Sequence, residues 1–398
     1  MVRKNDAKMN RIKLLVLLVG IAVLTACQNG VPEWYENGLR TAHVQLLEGA
    51  KEYEQSGLLP RSTTPTGKVH LGKPANWTSG FYPGNLWLMY KMTGDEELKQ
   101  LASSYNSLLK GQEYNTGTHD LGFMLYCSFG NGLDETSGKD YRELLLKGAQ
   151  SLISRYNPKV GAIRSWDFGE WEFPVIIDNM MNLEMLFWAS KETGNSLYSN
   201  IAVRHANTTL KNHFRDNFST YHVVSYDTIS GAPVSKGTYQ GFSNSSSWAR
   251  GQAWALYGYT MCYRETGNKA FLKRAKEVAG FVLPQISRCD DCIPYWDFDA
   301  PGIPDVPRDA SAAAIIASAL LELQNYVDNS ENYMNIAEKI LISLSSPKYL
   351  AEEGSNNYFI LKHSTGSYPH NSEVDVPLVY ADYYYLEAMR RYGELRKF

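Results

Sequence analysis

Six times along this chain an apolar, aromatic-rich helical segment recurs beside a polar-faced amphipathic one, and this recurrence restricts the fold more than any other feature of the sequence. The apolar set runs GFYPGNLWLMYKMTG (80–94), LGFMLYCSFG (121–130), DNMMNLEMLFWASKETG (178–194), WARGQAWALYGYTMCYRETG (248–267), DASAAAIIASALLELQ (309–324) and YADYYYLEAMRRYG (380–393). The amphipathic set covers Tyr35–Tyr53, Glu97–Lys110, Tyr141–Tyr156, Leu197–His213, Lys269–Val282 and Asn332–Ser343. Three apolar segments end alike, in KMTGDEEL, KETGNSLY and RETGNKAF, and a glycine there suits the left-handed residue that terminates a helix. Hairpins repeated at roughly 50–70 residues bury their apolar faces only against neighbours, which argues for a closed array. The uniformly apolar helices form the inner ring and the amphipathic ones the outer ring. The predicted fold is therefore all-α, an (α/α)6 barrel or six-hairpin toroid, with loops at one mouth forming the active site. An open solenoid would show a tighter repeat length.

The connections that lead into the inner helices gather at that mouth. They are PANWTSGF (74–81), NTGTHD (115–120), RSWDFGEWEFPVIID (164–178), residues 219–250, CIPYWDFDAPGIPDVPRD (292–309) and ILKHSTGSYPHNSEVDVP (360–377). Their Gly, Pro, Asn and Trp content makes them loops or short hairpins, and function concentrates on such a face. Two acids stand at the heads of inner helices: Asp178 in VIIDNMMNLEMLFW (175–188) and Asp120 in THDLGFMLY. An Asp before a helix is ordinarily an N-cap that accepts first-turn N–H groups. Here the company is different, with Trp166, Trp171 and Asn179 near one acid and His119 and Tyr114 near the other. Acids among flat amphipathic rings suit a sugar site.

At the start, Arg3, Lys4, Lys8, Arg11 and Lys13 precede an apolar run, Leu14–Leu24, that ends in LTAC with Cys27. A charged region, a short apolar core and small residues before the cysteine make a secretory signal, too short for a span of roughly 20 residues. It resembles a bacterial lipoprotein signal, so residues 1–26 are read as signal peptide and Cys27 as the lipidated residue; an ordinary signal cleaved near Ala26 is the alternative. The protein is expected to be exported, at the periplasm or cell surface, and to touch a membrane only through that lipid. Residues 27–398 contain no linker long enough to separate domains and are read as one catalytic domain. Without the first 26 residues, 34 Lys and Arg face 41 Asp and Glu, so the net charge moves from −3 to −7. That argues against a nucleic-acid partner, which requires a basic face. Cys127 and Cys262 lie in apolar helical segments. Cys289 and Cys292 form CDDC, a weak zinc signal without a second Cys/His pair, for which a local disulfide is the expectation and free thiols the alternative. Asp297, Asp299, Asp305, Asp309 and Asp375 read as loop acids with no calcium pattern, so no metal and no cofactor are expected.

THDLGFM, IDNMMNLE, STYHVVSYD, TYQGFSNSSSWARGQAW and DVPLVYADYYYLEAM, in this order, resemble the unsaturated glucuronyl hydrolases of glycoside hydrolase family 88 over nearly the whole mature chain. The related unsaturated rhamnogalacturonyl hydrolases of family 105 share the barrel and fit these motifs less well. The resemblance implies a glycosidase that acts after a polysaccharide lyase, on an unsaturated uronyl di- or oligosaccharide of glycosaminoglycan type. It hydrates the C4=C5 bond of the terminal sugar instead of attacking the anomeric carbon. By the same resemblance Asp178 is the general acid/base, Asp120 orients it and binds a hydroxyl, and His222 and Gln240 contact the unsaturated sugar. Protonating a vinyl ether at C4 while water reaches C5 independently calls for a carboxyl that holds a proton near neutral pH, and two close carboxyls supply one. Arg250 offers a fork of donors to anionic or hydroxyl groups, with a structural ion pair as its alternative role. Trp77, Trp166 and Trp254 are candidates to stack on sugar faces; His119 and Asn179 complete the substrate-binding set. Lys362, Ser364, Ser367 and His370 lie where family members meet the outer part of the substrate. One departure stands out: a His usually precedes the Gln of the TxQG segment, and here it is Tyr239.

Three rival readings remain at this stage. A polysaccharide lyase on the same toroid would use Tyr221, His222 and Arg250 and need a long basic cleft. A glycan-binding lipoprotein without activity would need the aromatic rings and not the two acids. An inverting glycosidase would cleave saturated substrates.

Overall fold

The computed structural model describes residues 30–136, 139–328 and 331–398, so the expected signal peptide and Cys27 lie outside the described residues. Its inner helices are Phe81–Thr93, Gly122–Gly130, Leu183–Thr193 with a preceding 3-10 turn Ile177–Asn182, Ala249–Thr266, Ala310–Leu323 and Val379–Arg396. Its outer helices are Glu33–Tyr53, Glu96–Leu108, Lys139–Ile153, Ser196–Asn212, Lys269–Ile286 and Glu331–Leu344. Each inner helix packs against the next, and Val379–Arg396 packs against both Ala310–Leu323 and Phe81–Thr93, which closes the ring. This is the (α/α)6 barrel expected from the recurrence. The inner helices are buried nearly all round: every residue from Ala249 to Cys262 and from Ala310 to Leu323 is buried.

The recurrent TG motif is a complete device for ending one helix and starting the next. Gly94, Gly194 and Gly267 are left-handed, with φ of 71°, 69° and 65°. The threonine before each glycine donates to the carbonyl four residues back, at Met89, Ala189 and Cys262. The same hydroxyl accepts the N–H of the residue after the glycine. That residue, Asp95, Asn195 or Asn268, is the N-cap of the outer helix and accepts from Glu97, Leu197 or Ala270 N–H. One three-residue motif thus satisfies orphan groups at both helix ends and folds the chain back on itself.

Segment 122–130 differs from expectation in being a π-helix. Asn182, from the neighbouring inner helix, reaches in with Oδ1 to take the Phe123 N–H at 2.9 Å, and a side chain on Gly122 would strike Asn182. Close approach of two inner helices therefore goes with the wider turn, a form that gathers at functional sites.

The mouth is built from short antiparallel pairs. Leu59–Thr63 pairs with Val69–Gly72, and Ser364–Ser367 pairs with Ser372–Val376. A three-stranded sheet joins Pro174–Ile176, Val223–Tyr226 and Pro233–Gly237, with Ile176 opposite Val223 and Val223 opposite Gly237. The other end of the barrel is closed by partly buried ion pairs. Arg264 spans Glu184 and Glu322, while Arg391 meets Glu322, Glu387 and the Tyr257 hydroxyl. Cys289 and Cys292 are both buried and are free thiols, not the expected disulfide. Their turn is closed by backbone, Cys292 N–H to the Cys289 carbonyl at 2.9 Å, and Asp291 between them is tied to Arg308, Lys348 and Tyr349.

Two glycine substitutions separate backbone strain from packing. Gly194→Ala meets no atom within 4 Å and loses only the left-handed preference, so urea denaturation should show a loss of about 1 kcal/mol. Gly84→Ala meets the Cys127 carbonyl at 2.5 Å and the Tyr383 ring at 2.7 Å between adjacent inner helices, and should cost about 3 kcal/mol or more.

Candidate active site

The three-stranded sheet sets the site. Because Ile176 pairs with Val223, Ile177 N–H donates to the His222 carbonyl at 3.0 Å, and the next residue, Asp178, enters the first turn of the inner helix beside the His222 ring. Because Val223 also pairs with Gly237, the Thr238–Gln240 turn folds over that ring, and His222 Nδ1 accepts Tyr239 and Gln240 N–H at 3.1 and 3.2 Å. His222 Nε2 faces Asp178 Oδ2 at 3.6 Å. The helix N-cap is Ile176, and the Asp178 side chain caps nothing. The capping explanation for Asp178 therefore does not hold.

Asp178 is 9% exposed, and burial pushes its carboxyl up to about 7. The Arg250 charge opposes this, as does the Trp254 indole N–H, which faces the carboxyl without forming a strict hydrogen bond; the Asp120 charge adds to the rise. A carboxyl held near 7 keeps a proton at neutral pH and can release it, as acid/base work requires.

Asp120 sits across the same cavity of about 590 Å³, which Asn76, Trp77, Thr118, His119, Phe123, Trp166, Phe168, Tyr239, Gln240 and Arg250 also line. Thr118 Oγ1 donates to Asp120 Oδ2 at 2.9 Å and accepts the Asp120 N–H. His119 Nε2 lies 3.2 Å from Asp120 Oδ1, and burial lowers the pKa of this imidazole, which keeps it neutral. Asp120 thus arrives oriented by two neighbours in its own turn. The cavity floor is Phe123, packed on Trp254, which packs on Tyr384. Below it lies a separate polar cavity of about 220 Å³ on the barrel axis.

Arg250 lines the cavity, yet most of its donors are engaged elsewhere. Nη1 pairs with Asp309 Oδ2 at 2.7 Å and reaches the Thr365 carbonyl, while Nη2 donates to the Gly366 carbonyl. Gln240 Nε2 donates to the same Gly366 carbonyl at 3.1 Å. Asp309, read from sequence as a loop acid, is fully buried; its Oδ1 caps helix Ala310–Leu323 by accepting Ser311 N–H. Asp297 is also fully buried and accepts from Phe242 N–H and Ser246 Oγ. Among the described residues no three His, Cys, Asp or Glu side chains gather to hold a metal.

Of the residues singled out by sequence, Trp77, His119, Trp166, Gln240 and Arg250 line the cavity with the two acids. Asn179, His222 and Trp254 stand behind its wall. Asn179 is fully buried with Nδ2 on the Ile163 carbonyl, and Trp254 is fully buried below Phe123. In the outer group, Ser364 is fully buried and Lys362 Nζ is turned to the Pro347 carbonyl, so neither faces the cavity. Ser367 Oγ holds His370 Nδ1 at 2.7 Å, and the His370 ring lies 4.2 Å from Tyr239 at the rim. Tyr114 is an exposed side chain away from the cavity lining. Sequence reading missed Phe168, which is 52% exposed and stacks on Trp166 at 4.9 Å, and Thr118, whose hydroxyl fixes Asp120. The aromatic density of RSWDFGEW was the available signal for the first.

Asp178 leaves a signature in stability. Between 3.8 and about 7 the folded protein retains a proton that the unfolded chain has released, so stability falls as pH rises through that window. Above it the buried charge costs about 4 kcal/mol. Asp178→Asn removes the cost, so its thermal midpoint should exceed the parent's by several degrees at pH 8, and the gap should close toward pH 4.

The sequence profile described as Glycosyl Hydrolase Family 88 matches residues 61–394. A curated unsaturated glucuronyl hydrolase of Formosa agariphila is 52% identical over 326 residues, which is 81% of each chain. A solved unsaturated glucuronyl hydrolase described as specific for heparin superposes with a TM-score of 0.90 at 51% identity, over 92% of this chain and 98% of that one. Another, from Bacillus sp. GL1 and described as responsible for degradation of glycosaminoglycan, gives 0.85 at 29% identity over 90% and 96%.

Proposed function

This chain belongs to glycoside hydrolase family 88, and from that premise we propose how its cavity works and what it takes. The protein is a glycosidase that removes a 4,5-unsaturated uronic acid from the non-reducing end of lyase-generated oligosaccharides, by adding water across C4=C5. The observation that carries the reading of its mechanism is the pair Asp178 and Asp120 in one cavity, with Asp178 raised to about 7 and Asp120 held by Thr118 and His119. Protonated Asp178 gives its proton to C4 of the vinyl ether. The resulting carboxylate takes a proton from the water that bonds to C5. The hemiketal so formed opens and releases the second sugar, and the proton count on Asp178 is restored. Asp120 accepts a sugar hydroxyl and raises the Asp178 carboxyl by its charge.

Trp77 and Trp166 present sugar-stacking faces. Arg250 is the one Lys or Arg lining the cavity among the described residues, and its field draws the uronate carboxylate inward while its donors hold the Gly366 hairpin. His222 acts through others, since its ring positions Tyr239 and Gln240. A lyase would need a long basic cleft, and this cavity has one such cation.

The favoured parent polymer is of heparin type, by likeness to the structure at 51% identity described as specific for heparin. The lipoprotein signal supports export with Cys27 lipidated.

Ultraviolet absorbance of unsaturated disaccharides from heparin and chondroitin, with saturated ones alongside, tests the reading. Absorbance should fall as the second sugar is released, fastest on the heparin-derived substrate, and saturated disaccharides should be inert. Asp178→Asn should lower kcat about 10³-fold while binding persists. For the parent, kcat should fall tenfold per pH unit above about 7, where Asp178 loses its proton. Cleavage of the saturated sugar would overturn the mechanism.

A further inference from the structure

We propose that the closed end of the barrel lies against the membrane and that the substrate cavity opens away from it, a proposal that rests on the lipidation of Cys27 proposed above. The argument is one of tether length. Substrate-cavity residues come from the starts of inner helices and the loops that lead into them, at 75–77, 117–123, 165–168, 176–178, 239–240 and 250. The first described residues lie at the opposite end. Val31 shares a cleft of about 700 Å³ with Met92, Gly94, Arg390, Gly393 and Phe398, all from the last turns of inner helices or just beyond them. Val31 packs on the core, and helix Glu33–Tyr53 begins at once behind it, with Tyr35 N–H on the Pro32 carbonyl.

That start is clamped and cannot swing. The Tyr35 hydroxyl donates to the Met389 carbonyl at 3.2 Å, Trp34 packs on Tyr392, and any side chain on Gly393 would strike Tyr35. Four residue steps separate Cys27 from Val31, and even fully extended they reach roughly 14 Å. The inner helix Val379–Arg396, of 18 residues, is itself about 27 Å long. A tether of that reach cannot carry the bilayer around the barrel to the mouth. No basic face is needed for the attachment, which is covalent, and the net charge of the mature chain is negative. The occupant of the closed end is thus a phospholipid surface, and oligosaccharide reaches the cavity from the aqueous side.

The test uses the full-length protein expressed with lipoprotein processing and inserted in vesicles of phosphatidylethanolamine and phosphatidylglycerol that carry a headgroup quencher. One fluorophore is placed by Glu394→Cys, exposed at the closed end, and another by Ile229→Cys, 83% exposed in the turn between two strands of the sheet at the mouth. Quenching should be at least fivefold greater at position 394 than at 229, should vanish for both in Cys27→Ser, and kcat/KM on soluble disaccharide should match within twofold between vesicle-bound and detergent-released protein. Incorporation of labelled fatty acid, read separately, decides the lipidation. Lipidated protein with equal quenching at both sites, or more at 229, overturns the orientation alone; absence of incorporated lipid overturns the lipidation reading and the orientation with it.

Discussion

A ring of six helices stands only when its last member packs against its first, and here that closure falls on small residues facing tyrosines. Gly84 admits the Tyr383 ring between the first and last inner helices, and the outer helix Glu33–Tyr53 is fitted to that last helix in the same way, Gly38 admitting the Tyr385 hydroxyl and Gly393 the Tyr35 hydroxyl. A β-carbon at any of these would hold two helices apart, and a close-packed interior has no slack with which to absorb it. All else at the mouth is hung on this closure, because the loops that bear the acids start and end on helices whose spacing the closure sets. The partly buried ion pairs at the far end act in the same sense. Arg264 and Arg391 tie four inner helices through Glu184, Glu322 and Glu387. Such pairs contribute little net stability against an apolar replacement, but removing one partner strands a charge, so they oppose wrong registers.

Inside that frame the chemistry follows from where one carboxyl is kept dry. An ordinary glycosidase divides two roles between two carboxyls. In the proposed mechanism a single carboxyl serves as acid and then base, which needs a pKa near the working pH, and burial, with the Asp120 charge adding to it, moves Asp178 there. Arg250 and the Trp254 N–H restrain the rise. The three-stranded sheet is the means by which such a residue is placed without becoming a helix cap: it delivers the chain to the inner helix in an extended conformation, so Ile176 takes the capping position and Asp178 is free to face the cavity.

The architecture was legible because period and position carry it. Inner helices are apolar all round and outer helices on one side, and TG followed by Asp or Asn marks the return between them. The two acids were legible because each begins an apolar run in aromatic company. Contacts made across the mouth were not. Asp309 gives no local sign that it pairs with Arg250, since the partners are 59 positions apart and meet only when the hairpin from Ser364 to Val376 folds over both. Ser364 and Lys362 looked available because their segment is polar, but Ser364 is buried where its strand packs on helix Ala310–Leu323 and a carbonyl captured Lys362. The π-helix at 122–130 was equally hidden, since its wider turn goes with Asn182 on another helix.

The aromatic floor of Phe123, Trp254 and Tyr384 makes the cavity a dead end. A chain passing through has nowhere to go, so only a terminus can be admitted, and one residue is taken per visit. The effective substrate is then the molar concentration of ends, not the mass of polymer. Each cut made upstream by a lyase adds one unsaturated end, so the rate of this step is governed by how finely the polymer has already been divided.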